Sequence, residues 1–186
     1  MFNKHLVTKY LVDDAHDLFA RIFPDEHLYD KEGGVLKSCF EESCSETRDQ
    51  ANDPWKYWLW HYSTVDMPLG ETIGMSGIYI EHADPESAWL GWLGVLPEYR
   101  RERFATRMLN DFAEECRKCG RKYARIYTNE NNIPARECYK FNGYAEEKFN
   151  APTPEYVLTG GPIYIYSKSL YPGVECPPWN DRHLDF

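Results

Sequence analysis

Three arginines crowd one short stretch, Arg100-Arg101-Glu102-Arg103, directly ahead of Phe104-Ala105-Thr106. Val95-Leu96-Pro97 upstream reads as the end of a strand, and the apolar spacing downstream reads as a helix, so the arginines lie on a loop entering a helix. The first N–H groups of a helix have no acceptors within it, and their partial positive charge makes an anion site that guanidinium groups reinforce. The chain has 21 Lys+Arg against 30 Asp+Glu, a formal net charge of −9, so this basic island is out of character with its surroundings. Arginines on a loop also serve as plain solvated surface, and the cluster alone leaves both uses open.

A second group is Asn132 and Tyr139. Asn132 suits the N-cap of a helix that tolerates Pro134 in its first turn, and Tyr139 follows about two turns later on the same face. By position alone, a tyrosine there reads as a core residue of an amphipathic helix. Glu81 and His82, at a polar strand terminus, could take a proton from an attacking group, and so could water. Cys116-x-x-Cys119 lies inside an amphipathic helix. A zinc site built from that pair together with Cys39 and Cys44 is the lesser reading beside buried thiols.

These residues need elements to position them. Leu6–Tyr10 reads as a strand, and Asp13–Phe23 as a helix capped by Asp13 or Asp14 and stopped by Pro24. A second helix falls near Val35–Glu42, beyond Gly33-Gly34. Trp55–Tyr62 carries aromatics at both parities, the mark of an interior strand covered on both faces, and its members could line a pocket or the core. Strands follow at Thr72–Glu81 and Ala88–Leu96. Phe104, Met108, Phe112 and Cys116 then form one helical stripe, with Gly120 as C-terminal cap. Tyr123–Thr128 (strand), Asn132–Phe141 (helix), and strands at Tyr144–Phe149 and Tyr156–Leu170 complete a domain over 1–170. Pro172–Phe186 reads as a loosely attached tail over 171–186.

Composition narrows the function classes. The acidic balance argues against a nucleic-acid surface. No apolar stretch is long enough to span a bilayer, and the N-terminus lacks a signal peptide's apolar core, so a cytoplasmic chain with reduced cysteines is expected.

Residues Ala88–Glu147 resemble the acyl-CoA-binding core of the GNAT superfamily of N-acetyltransferases. Its first signature, Arg/Gln-x-x-Gly-x-Gly/Ala, corresponds to Arg100–Ala105, and its second, Asn-x-x-Ala-x-x-x-Tyr then Gly-aromatic, to Asn132–Tyr139 and Gly143-Tyr144. The resemblance implies an α/β (layered α+β) fold: a mixed, mostly antiparallel sheet with helices on both faces and a V-shaped split between two parallel central strands. It implies acetyl-CoA as co-substrate and no metal. The backbone of Arg101–Thr106, with the Thr106 hydroxyl, would take the pyrophosphate, and Leu93, Gly94 and Val95 the pantetheine arm. Asn132 would contact CoA and Tyr139 would protonate the departing thiolate. Gly94 suits a bulge that turns N–H groups toward a thioester carbonyl, or simply relieves packing. Arg103 replaces a glycine of the family: it adds a guanidinium to the phosphates, widens the loop or weakens binding, and the rest of both signatures favours retained binding. Trp89 occupies the place where some members carry a basic Glu.

The expected activity is acetyl transfer to a primary amine of a small molecule, by direct attack in a ternary complex. The acceptor would approach across Asp25–Asp53 and Trp55–Tyr62. Asp25, Glu26, Asp30, Glu32, Glu41, Glu42 and Glu46 there suggest a cationic substrate, or a solvated acidic face. A silent acyl-CoA-binding module and a protein N-acetyltransferase are the alternatives, and a homodimer is the assembly considered. No nucleic-acid or membrane partner is expected.

Overall fold

The computed structural model describes residues 1–25, 35–149 and 162–180. The elements are β1 (Phe2–Leu6), α1 (Val12–Ile22), α2 (Val35–Ser43), β2 (Lys56–Tyr62), β3 (Glu71–Tyr79), β4 (Ser87–Val95), a 3-10 turn (Pro97–Tyr99), α3 (Phe104–Lys118), β5 (Tyr123–Asn129), α4 (Ile133–Phe141), β6 (Ala145–Lys148) and β7 (Ile163–Ser169). The strands form one sheet in the order β1-β2-β3-β4-β5-β7-β6. It is mixed and mostly antiparallel, with β4 and β5 parallel. The β4–β5 ladder holds three pairs, Ser87↔Tyr123, Ala88↔Ala124 and Trp89↔Arg125. The chain divides into two compact units, Met1–Tyr79 with Gly91–Met108, and Ile80–Leu90 with Leu109–Phe186.

In the first unit, β2 explains its own composition. Tyr57 and Leu59 join Phe19 of α1, Phe40 of α2 and Met75 in one apolar cluster. Trp60 joins Ile73, Phe104 and Met108 in another. A strand covered on both faces needs large apolar groups at both parities, and burying each Leu or Phe contributes about 1.5–3 kcal/mol. The indole N–H of Trp60 donates to Ser76 Oγ at 2.8 Å, so the buried donor is satisfied.

Two expectations at the N-terminus are corrected. The first strand is Phe2–Leu6 rather than Leu6–Tyr10, because Phe2 stacks on Trp60 at 4.7 Å and its strand pairs with β2 from Phe2↔Tyr62 to Leu6↔Trp58. Neither Asp13 nor Asp14 caps α1. Leu11 holds the N-cap position, and the Asp13 carboxylate receives Lys37 Nζ at 2.6 Å instead.

In the second unit, β5 lies between β4 and β7 and centres on Arg125, a fully buried guanidinium. Its Nε donates to Asp84 Oδ2 at 2.9 Å and Ser87 Oγ at 3.0 Å, and its terminal nitrogens to Ser167 Oγ at 2.6 Å and the Pro177 carbonyl at 3.1 Å. Within the expected loose tail, residues 171–175 are exposed, but the stretch from Pro177 to Asn180 is anchored. Trp179 is 0% exposed and packs edge-on against Trp89 with ring centroids 5.0 Å apart. The Trp179 and Asn180 N–H groups donate to the Glu147 carboxylate at 2.6 and 2.9 Å. The expected strand over Tyr156–Leu170 lies partly outside the described residues, and within them β7 is present.

Candidate active site

The basic loop belongs to the first unit. Leu96 continues the β4 edge by donating to the Ile73 carbonyl at 2.8 Å, and Pro97, with its fixed φ, starts the 3-10 turn. Tyr99 ties that turn to β3 by donating to Glu71 Oε2 at 2.7 Å. Arg100 folds back so that its Nε donates to the Val95 carbonyl at 3.0 Å. Arg101 and Arg103 then both adopt left-handed backbone, at φ 69° and 61°, with Glu102 between them outside that region. Left-handed geometry costs an L residue with a Cβ about 1–2 kcal/mol, and alternation of hand along a loop turns successive N–H groups into one concavity that suits anions. The departure at Arg103 therefore keeps the conformation a glycine would take freely.

Helix α3 starts directly after this loop, its first turn set by the Arg107 N–H donating to the Arg103 carbonyl at 3.1 Å. The guanidinium groups of Arg100, Arg101 and Arg103 are exposed, while the Phe104 ring is buried between Phe2 and Tyr62 at 4.8 and 4.9 Å. The Phe104 side chain is therefore core and cannot itself contact a ligand. Ala105 packs against the same cluster, and the half-buried Thr106 follows. Sequence reasoning passed over Arg107, whose guanidinium lies 4.4 Å over the Phe2 ring, one turn into the helix.

Leu93, Gly94 and Val95 form the end of β4. A Cβ at Gly94 would fall 2.2 Å from Ile22 Cγ2 and 2.6 Å from the Phe23 ring, so close approach of α1 alone requires glycine there. The Val95 side chain is core and its carbonyl is taken by Arg100. Leu93 is half-buried against the Trp60 cluster.

The other candidates belong to the second unit. Asn132 stands at the N-cap of α4 without a side-chain cap bond, which corrects its expected capping role. Its Nδ2 donates instead to Thr128 Oγ1 at 3.1 Å, and its backbone N–H to Asn129 Oδ1 at 3.0 Å. The exposed residue is thereby tied to the end of β5.

Tyr139, on α4, is 7% exposed. Its ring meets Tyr166 at 5.1 Å and Tyr144 at 6.5 Å. Burial raises its hydroxyl pKa above the ordinary phenol value, and the charges of Cys138 and Tyr166 act in the same direction, so it holds a proton at neutral pH.

Glu81 and His82 lie in the turn before β4, half-buried and exposed respectively. The Glu81 carbonyl accepts the Asp84 N–H at 2.9 Å, but neither side chain makes an ion pair or hydrogen bond among the described residues. Trp89 is 1% exposed between Trp179 and Tyr127, so this strand position carries an apolar wall and no base.

Of the acidic acceptor-side residues, Asp25, Glu41, Glu42 and Glu46 belong to the described residues; Glu26, Asp30 and Glu32 lie outside them. From the aromatic strand Trp55–Tyr62, only His61 and Leu59 line the cleft of about 560 Å³ found in the first unit, and Tyr57, Trp58 and Trp60 are core. All six cysteines are free thiols. No cluster of three or more His, Cys, Asp or Glu side chains able to hold a metal forms among the described residues. The Cys116 thiol is pushed up by burial, as a core side chain would be.

Comparison with known proteins gives this arrangement its context. No curated protein matches in sequence. Among solved structures, a protein assigned to the GNAT acetyltransferases from Desulfovibrio desulfuricans superposes with a TM-score of 0.68 at 15% identity, over 92% of this chain and 100% of that one. A spermidine N-acetyltransferase chimera from Vibrio cholerae and human sequences gives 0.66 at 14%, over 91% and 95%. A GNAT acetyltransferase from Elizabethkingia anophelis with acetyl-CoA bound gives 0.55 at 16%, over 90% and 97%. At these identities the likeness is one of fold. The family model for the GNAT acetyltransferases matches residues 12–144, which take in both signatures, and the chain belongs to that family.

Proposed function

We propose that the protein transfers an acetyl group from acetyl-CoA to a primary amine of a small, cationic molecule by direct attack, both substrates being held together. The observation that carries this reading is the pair of left-handed arginines, Arg101 and Arg103, at the start of α3. A solvated surface loop has no reason to keep two such residues, whereas a loop that must aim N–H groups at a pyrophosphate does.

In this reading the N–H groups of Arg101–Thr106 and the free ends of the three guanidinium groups hold the diphosphate. Leu93 and Gly94 offer main-chain groups to the pantetheine arm, with the Gly94 N–H facing charge that develops on the thioester oxygen. Asn132 fixes CoA from the start of α4. Acetyl-CoA, when bound, supplies an activated acyl carbon and a thiolate leaving group. The amine nitrogen bonds to that carbon, the C–S bond breaks, and Tyr139 passes its hydroxyl proton to sulfur. The amine's surplus proton leaves through water, because among the described residues Glu81 and His82 have no partner that would aim them.

Thiol release from acetyl-CoA tests the reading on spermidine, L-lysine, kanamycin and an alanine-terminated peptide. Turnover is expected on a cationic small amine. Tyr139→Phe should lower kcat about 100-fold while calorimetric CoA affinity stays within about twofold. CoA binding without turnover on any of the four overturns the enzymatic reading in favour of a silent CoA-binding module.

A further inference from the structure

The Tyr139 ring rests on a residue that neither signature contains. Tyr166 of β7 is fully buried, and its ring meets that of Tyr139 at 5.1 Å and 61°. The Tyr166 hydroxyl donates to Glu146 Oε2 and accepts from Arg136 Nε at 3.0 Å. Arg136 also reaches Glu146 Oε2 from its terminal nitrogen at 3.1 Å and the Glu130 carbonyl at 3.0 Å, and its guanidinium lies 3.9 Å over the Tyr164 ring. Three elements thus converge on one phenol: Arg136 lies on α4 itself, one turn before Tyr139, and Glu146 sits opposite Tyr166 in the β6–β7 ladder.

We infer that Tyr166, locked through its hydroxyl by Arg136 and Glu146, is the positioning residue that sets the ring of Tyr139. This inference rests on the reading of Tyr139 as the proton donor. A buried phenol turns about two side-chain angles unless its ring is wedged, and proton transfer is sensitive to misplacement on the scale of an ångström. Tyr166 supplies the wedge, and a hydroxyl held from both sides cannot let its own ring turn. The Glu146 carboxylate, held below its usual range by the Tyr166 hydroxyl and Arg136, stays ionised and keeps the lock engaged at neutral pH.

A double-mutant cycle tests this with the fastest of the four amines. Tyr166→Phe should lower kcat about 10-fold with KM for acetyl-CoA unchanged, and should cost nothing further in a Tyr139→Phe background. Glu146→Gln, which retains an acceptor for the hydroxyl, should keep most of the activity that Glu146→Leu loses. In free protein carrying ¹³Cζ-tyrosine, the Tyr139 resonance, identified by its loss in Tyr139→Phe, should titrate at lower pH in Tyr166→Phe, as the unlocked neighbouring ring lets water reach the Tyr139 hydroxyl. If Tyr139→Phe leaves kcat unchanged, or no amine reacts, the proton-donor reading falls and this inference with it. If Tyr139→Phe is slow but Tyr166→Phe is not, or the two losses multiply, the positioning role alone is overturned.

Discussion

Arg125 and Arg103 carry the same guanidinium into opposite surroundings. Arg125 is 0% exposed, and its donors are met by Asp84, Ser87, Ser167 and the Pro177 carbonyl. Arg103 is exposed, and its backbone sits in the left-handed region at φ 61°. A charge withdrawn from water is tolerated when it is paired and hydrogen-bonded, as each of the three Arg125 nitrogens is, since desolvation costs several kcal/mol per ion. An exposed charge needs no such matching, so the strain under Arg103 is not explained by the fold around it. The first arrangement holds a structure together. The second keeps N–H groups and charge available for something that arrives from outside.

The contrast breaks most readily at Arg125. Arg125→Ala leaves the Asp84 carboxylate buried without its cation and should destabilise the protein by about 3–5 kcal/mol in urea unfolding, whereas Arg101→Ala should change stability by less than about 0.5 kcal/mol. Equal losses would erase the distinction. Trp179→Ala comes next, at about 3 kcal/mol, because it empties a buried site against Trp89 and under Arg125; a tail that merely rests on the surface would cost nothing. On the ligand side, Arg101→Ala should weaken CoA binding about 10-fold at low salt, less at high salt, with the melting temperature unchanged. Calorimetry at two ionic strengths reads this directly.

Two smaller effects sharpen the picture. Tyr139, Tyr144 and Tyr166 all hold their protons to higher pH than a free phenol, in each case first because of burial. Their folded-state pKa values lie above the unfolded value of about 10, so the stability they contribute is complete below that pH and is lost as pH rises past it. Urea midpoints that fall between about pH 8 and about pH 10.5 would agree; a flat profile would sink the assignment. The smallest effect belongs to Arg103→Gly. Relief of left-handed strain is partly offset by the extra freedom of glycine in the unfolded chain, leaving a gain of no more than about 1 kcal/mol. A fall in melting temperature would show that the Arg103 side chain, not its backbone, holds the loop.

Much of the fold was legible because its signals are local. The stripe Phe104, Met108, Phe112 and Cys116 announces a helix from its spacing alone, and Gly120 ends it at φ 70° as its position suggests. The aromatics of Trp55–Tyr62 sit at both parities, and the strand they form is covered from both faces. The two signatures were likewise readable as strings, down to Asn132 and Tyr139.

What stayed illegible depends on partners distant in the chain. Asn132 has the composition of a cap, yet Thr128 claims its side chain once β5 ends where it does. Phe2 becomes a strand residue only because Trp60 offers a ring to stack on. Trp179 looks like part of a polar, proline-rich tail until Trp89 and Glu147 receive it. The Tyr166–Glu146 contact requires the register of β6 against β7, which a one-residue slip would reverse.

The basic island follows the same division. Three arginines ahead of a helix in an acidic chain, and both family signatures, can be read from the string alone, because order and spacing are properties of the string. That Arg101 and Arg103 take a left-handed backbone, that Arg100 turns back onto Val95, and that Arg125 is sealed away emerges in the folded chain. Backbone hand and burial are set by the summed packing of residues far apart in the chain, and no single residue type declares them.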